Sequence, residues 1–171
     1  MEKSRKILIF IAAQFDEREF IYPYYRLQEA GYQVVVAAPK AGTYKGKTTF
    51  EWEAEAAFGD VQEADFAALV IPGGFAPDKI RVEKAALRLV QDFKKAGKPI
   101  AMICHAGWVA ASADVVRGVK LTSTKAIKDD MVNAGAHWED REVIVDKGFI
   151  TSRSPDDLPA FTKALLKELG A

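Results

Sequence analysis

Four short, β-rich apolar runs recur along the chain. They are residues 6–13 (KILIFIAA), 33–38 (QVVVAA), 67–71 (AALVI) and 99–103 (PIAMI). Apolar at nearly every position, they predict strands buried on both faces. Residues 17–30 lie between the first two and carry helical spacing that stops at Gly31, a suitable residue for a left-handed helix end. Residues 82–96 repeat the arrangement between the third and fourth runs and stop at Gly97. Such alternation predicts right-handed βαβ units, hence an α/β fold with a parallel sheet and helices on both faces.

Two stretches depart from this rhythm. Residues 42–58, with Gly42, Gly46 and a β-rich Thr48-to-Trp52 segment, predict a small hairpin excursion. Residues 142–146 and 149–152 flank Lys147-Gly148 and predict a second hairpin. Ser154 and Pro155 then read as N-cap and first residue of a last helix over 157–169. That helix places Leu158, Phe161, Leu165 and Leu169 on one face.

With 171 residues, 49% of them hydrophobic, and no repeat or linker, the chain is expected to form one domain over 1–171. Its 24 basic and 24 acidic side chains cancel, and no Lys/Arg run exceeds two, which argues against nucleic-acid and anionic-membrane partners. Lys3, Arg5 and Lys6 before the seven apolar residues 7–13 superficially suggest a secretory leader. The run is short and leads straight into Asp16, Glu17, Arg18 and Glu19, so a buried strand is the better reading. No apolar window has the roughly 18 residues of a membrane span. One cysteine forms no internal disulfide and suits a reducing cytoplasm, and two histidines leave little for a metal site; no cofactor is expected.

In an open parallel sheet, ligands bind beyond the carboxyl ends of the strands, where strand order reverses. With the first strand central and the third run beside it, three loops meet there: Gln14-Phe15-Asp16, Pro72-Gly73-Gly74 and Cys104-His105-Ala106-Gly107. Cys104 ends a strand and precedes a helix opening at Ala106-Gly107-Trp108, so its sulfur can stand exposed on a tight turn. A helix start would lower the thiol below its ordinary value of about 8.5. A buried, inert cysteine fits the same context. His105 either pairs with the thiol or merely packs, and His137 reads as structural or solvated. Gly73 and Gly74 offer backbone N–H groups to a developing oxyanion, or serve an ordinary tight turn. Asp16 either accepts a hydrogen bond from the thiol or caps the first helix. Lys128-Asp129-Asp130 reads as the solvated start of a helix. GGFAPD is no dinucleotide fingerprint.

Taken together, Ile71-Pro72-Gly73-Gly74-x-Ala76-Pro77-Asp78, Ile103-Cys104-His105, Thr122-Ser123, Ile127-Lys128-Asp129-Asp130, Asn133-Ala134-Gly135 and the run from Ser152 to Leu158 resemble the PfpI family. That family belongs to the class I glutamine amidotransferase-like superfamily. The resemblance spans almost the whole chain in order, with Tyr22-Pro23 in the first helix included. It implies a flavodoxin-like three-layer α/β/α sandwich around a mainly parallel sheet. It further implies Cys104 as nucleophile with His105 beside it, and Gly74 and the backbone around His105 as the oxyanion pocket. Asp16 falls where a protonated family glutamate would hydrogen-bond the cysteine. Asp78 falls where a glutamate from a neighbouring subunit completes a Cys-His-acid triad. Both acids are one methylene shorter than the family's glutamates. The family's Cys-His-Gly-Pro is here Cys104-His105-Ala106-Gly107, with Trp108 next, and a frequent tyrosine is replaced by Thr124.

The implied function is a cysteine-dependent, stress-protective hydrolase of small carbonyl adducts, of the deglycase or glyoxalase kind. The alternatives are an intracellular cysteine peptidase acting on peptides with a triad shared across a homo-oligomer, and a redox-responsive protein whose Cys104 is reversibly oxidised. Glutamine amidotransfer lacks its separate histidine and glutamate. Phe75 and Trp108 beside the site suggest that a dimer or larger assembly covers it.

Overall fold

A computed structural model describes residues 5–171; Lys3 lies outside them. Strand β1 (Lys6–Phe10) is central, with β2 (Gln33–Ala38) on one side and β6 (Ala68–Ile71) on the other, both parallel to it. β7 (Ile100–Ile103) pairs parallel with β6, and β11 (Phe149–Ser152) parallel with β7. β10 (Ile144–Asp146) closes one edge antiparallel to β11, and the two-residue β5 (Ala56–Ala57) closes the other beside β2. The seven-stranded sheet is thus mostly parallel, and strand order reverses between β1 and β6.

Helices α1 (Glu17–Glu29) and α6 (Leu158–Leu169) pack on one another, and α2 (Ala76–Ile80) and α3 (Lys84–Lys95) pack against α4 (Gly107–Ser112). α5 (Lys128–Asn133) packs against α4. β6, β7 and β11 are buried at every position, as strands covered on both faces must be. β3 (Gly42–Lys45) and β4 (Glu51–Ala54) form the expected hairpin outside the main sheet, and β8 (Lys120–Leu121) pairs with β9 (His137–Trp138).

Three differences from the sequence reading have local causes. The first strand ends at Phe10 rather than residue 13, because the chain turns away to build the site loop: Gln14 adopts φ 66° and donates its N–H to the Lys45 carbonyl at 2.7 Å. The helix expected from residue 82 begins at Lys84, because a separate short helix, α2, with Pro77 in its first turn, occupies 76–80. Ser154 makes no side-chain cap. Asp157 instead accepts from the Arg153 backbone N–H and guanidinium at 2.9–3.0 Å, and a 3-10 turn over Pro155–Asp157 leads into α6.

Candidate active site

The loops after β1, β6 and β7 do meet. Phe15 bridges Gly74, the Asp16 N–H donates to the Gly73 carbonyl at 3.2 Å, and the Phe75 N–H donates to the Gln14 carbonyl at 2.9 Å. A Cβ on Gly74 would lie 2.5 Å from both Asp16 N and Gln14 O, and φ there is +77°, so only glycine fits this crossing. Gly73 is tight on its other side: an added Cβ would stand 2.7 Å from Cys104 Cβ and 2.5 Å from Glu19 Oε2.

Cys104 follows β7 directly and adopts φ 62°, a left-handed conformation that costs a non-glycine residue about 1–3 kcal/mol. Its carbonyl is tied down by the Thr124 N–H at 3.2 Å. The next residues form a 3-10 turn, Cys104–Ala106, before α4 begins at Gly107, so the chain makes the abrupt strand-to-helix turn of a nucleophile elbow. The backbone N–H groups of Gly74 and His105 both point at the sulfur. The His105 Nδ1 lies 3.3 Å from Sγ. Whether that contact donates to or accepts from sulfur depends on the imidazole tautomer. Burial and the Lys47 charge hold the His105 pKa below its ordinary value, which favours the neutral ring.

The acid beside the thiol is Glu19, and this corrects the sequence assignment to Asp16. Glu19 is completely buried on α1, and its Oε2 accepts the Gly73 N–H at 2.6 Å. It also hydrogen-bonds Cys104. Burial first, and the Asp16 charge second, push its pKa up to about 7. Asp16 is occupied elsewhere. It is the N-cap of α1, accepting the N–H groups of Arg18 at 3.1 Å and Glu19 at 3.3 Å, and it pairs with Arg18 at 3.1 Å and Lys47 at 3.3 Å. Its burial acts to raise its pKa, but these hydrogen bonds and the Arg18 charge win and hold it below the usual carboxylate value. Asp16 is therefore an ionised cap and no proton donor to sulfur. The overlooked signal was spacing: Glu19, Pro23 and Leu27 stand four residues apart and are all buried, so an acid sits on the core stripe of the helix.

The Gly73 assignment changes too, because its N–H is consumed by Glu19; of the glycine pair, Gly74 offers the amide to sulfur. The expected acidic thiol is also reversed. Burial, followed by the Glu19 charge, pushes Cys104 up to about 12, outweighing the backbone N–H groups of His105 and Gly74. A 3-10 turn and a six-residue helix supply too little dipole to compete. Cys104 and Glu19 titrate as one unit. The Glu19 charge disfavours the thiolate, and their hydrogen bond lowers the carboxyl while it raises the thiol, so the first proton to leave the pair comes mainly from Glu19.

Asp78 is exposed on α2, and no acid of the chain contacts His105 among the described residues. Phe75 stands 57% exposed beside Gly74, as a covered face would require. Trp108, by contrast, is engaged within the chain. Its Nε1 donates to Asp130 at 2.8 Å, its ring meets His105 at 5.2 Å, and the Arg81 guanidinium lies over it at 5.3 Å. No helix among the described residues is long and apolar enough to cross a membrane.

The chain is 43% identical to a deglycase of Pyrococcus abyssi over 164 residues, covering 96% of this chain and 99% of the relative. It is 42% identical to protein/nucleic acid deglycase 2 of Escherichia coli, covering 98% of this chain and 99% of that one. Its backbone superposes with a TM-score of 0.95 on a two-domain Anabaena variabilis protein containing DJ-1/ThiJ/PfpI-like and ferritin-like domains, at 40% identity. That match spans 96% of this chain and 50% of the Anabaena chain. The DJ-1/PfpI family model matches residues 5–168, and the chain belongs to that family.

Proposed function

We propose that the protein is a cysteine-dependent hydrolase that removes small carbonyl adducts from amino or thiol groups, the deglycase reading, with Cys104 as nucleophile. One observation carries it: a strained, left-handed Cys104 held between Glu19, His105 Nδ1 and two backbone N–H groups. Its relatives named deglycases support the substrate class. In the productive tautomer Glu19 keeps the proton and the sulfur is the thiolate, so the anion sits where the Gly74 and His105 amides can stabilise it. The thiolate takes the place of the amine or thiol on the adduct carbon, with Glu19 or His105 protonating the departing group, and leaves a hemithioacetal on Cys104. A proton then moves from that carbon to the adjacent carbonyl carbon through an enediol, so the first carbon is oxidised to a thioester while its neighbour is reduced to an alcohol, with the developing oxyanion held by the same amides. Water hydrolyses the thioester, releasing the hydroxy acid and restoring the thiol.

The working unit we take to be a homo-oligomer in the reducing cytoplasm, with Asp78 supplied to His105 of a neighbouring subunit. The absence of an acid beside His105 among the described residues, and the exposed Phe75, favour that arrangement. It also keeps the peptidase reading alive, because a shared Cys104-His105-Asp78 triad would serve either reaction. Wild type and Cys104→Ser are to be compared on methylglyoxal-modified amino acids and on casein. Adduct removal that Cys104→Ser loses supports the proposal. Casein cleavage without adduct removal overturns it in favour of the peptidase. Inactivity on both, with Cys104 readily oxidised by mild peroxide, leaves the redox reading.

A further inference from the structure

The turn that joins β3 to β4 reaches back over the site loop. Gly46 bridges Phe15, the Lys47 N–H donates to the Phe15 carbonyl at 3.0 Å, and the Thr48 N–H donates to Glu17 Oε1 at 2.5 Å. Gly46 is pinned closely, since an added Cβ would lie 2.6 Å from Glu17 Oε1. This anchoring fixes the Lys47 backbone against Phe15, the residue that also bridges Gly74. Its side chain is 37% exposed, and its ammonium lies 3.3 Å from Asp16 Oδ2.

Asp16 is well compensated without Lys47. Two α1 backbone N–H groups and two guanidinium contacts from Arg18, at 3.1 and 3.3 Å, already serve its two oxygens. An ammonium has three donors. Lys47 therefore holds a fixed position with donor capacity to spare. With Glu19 protonated, the charges along the site loop and this turn, Asp16, Glu17, Arg18 and Lys47, cancel, and Lys47 is a cation whose charge reaches both groups that flank Cys104, Glu19 and His105.

We propose that Lys47 is a specificity-determining residue, an anchor for a carboxylate on the molecule that Cys104 attacks. The favoured substrates are then carbonyl adducts bearing a negative group next to the reacting carbon. This substrate class rests on Cys104 being the reacting atom. An anion that draws the ammonium away from Asp16 loosens only the most expendable of its contacts. It brings a charge-assisted hydrogen bond to the rim of the site, worth about ten-fold in rate or affinity.

The test compares two alkylating reagents of nearly equal size, anionic iodoacetate and neutral iodoacetamide, on wild type, Lys47→Met and Lys47→Arg. Mass spectrometry locates the label and circular dichroism confirms folding. The readout is the ratio of the two second-order rates at Cys104. It is expected to fall about ten-fold in Lys47→Met, to be largely kept in Lys47→Arg, and to fall in wild type as salt rises. An unchanged ratio in Lys47→Met overturns the anchor, and so does an equal loss of both rates, which would make the role structural. Wild type that takes up neither reagent would overturn the reactive-cysteine reading itself, so the two failures are distinguishable. A second arm measures KM for adducts of glyoxylate against those of glyoxal. Only the carboxylated series is expected to show a raised KM in Lys47→Met.

Discussion

Replacing Glu19 by glutamine tests the proton-sharing pair most directly. Glutamine keeps the shape. Its carbonyl can still accept the Gly73 N–H, now at 2.6 Å from Oε2, and its amide can donate to the sulfur. What it removes is a titration. Folded, Glu19 releases its proton near pH 7, against 4.5 for an unperturbed glutamate. Below about 4.5 the group is neutral in both folded and unfolded chains, and its burial carries no charge penalty. As pH rises, the unfolded chain ionises first, so stability falls by about 1.4 kcal/mol per pH unit until the folded group ionises as well. Above pH 7 the loss is complete, at about 3 kcal/mol. Glu19→Gln has no such slope. The variant is expected to match wild type near pH 4.5 and to exceed it by about 3 kcal/mol at pH 8, or about 6–12 °C in Tm for a chain of this size. Urea unfolding at pH 4.5, 6 and 8 measures the gap. Iodoacetamide rates against pH are expected to show a thiol midpoint moved down, because the like charge beside sulfur is gone. Turnover is expected to fall about a hundred-fold, since glutamine cannot carry the proton. A stability gap that does not grow with pH, or a thiol midpoint that rises, would refute the coupling.

Three further outcomes follow from the same geometry. Gly73→Ala drives a methyl group against Cys104 Cβ and Glu19 Oε2, and should cost about 1–3 kcal/mol in unfolding and slow alkylation of Cys104. Asp16→Ala should lose about 1 kcal/mol with the α1 cap, whereas Asp16→Asn keeps the cap. Because the Asp16 pKa is depressed on folding, its ionic contribution is present above the unfolded value and disappears as pH falls; Asp16→Asn is expected to flatten that acid limb in thermal melts. For the shared triad, Cys104→Ser and Asp78→Ala should each be inactive alone and recover activity when refolded together. Failure to complement, or a monomer in sedimentation, would confine the chemistry to one chain.

The α/β architecture was legible in the sequence because its cause is local. Strands β2, β6 and β7 are continuous apolar runs, and runs apolar on both faces leave a parallel, two-sided sheet as their natural home. Gly31 and Gly97 marked helix ends because the left-handed conformation there excludes other residues cheaply. The three site loops could be assembled in outline for the same reason, since switch-point geometry follows from strand order.

The identity of the acid could not be read that way. Asp16 and Glu19 lie three residues apart at one helix start, and Asp-x-x-Glu is an ordinary capping pattern in which either side chain can serve the backbone. Only packing decides. It turns Asp16 toward the helix N–H groups, with Arg18 and Lys47 around it, and it drives Glu19 inward between Gly73 and Cys104. The thiol's acidity was misjudged for a related reason: a helix start is visible in a sequence, but burial and a charged neighbour from another element are not. Lys47 was invisible altogether, because a turn residue 57 positions before Cys104 reaches the site only when the hairpin folds back. Sequence determined where the crevice forms, through local periodicity and backbone freedom. Which charges enter it, and which proton each one holds, was decided by contacts between distant segments that exist only once the chain is folded.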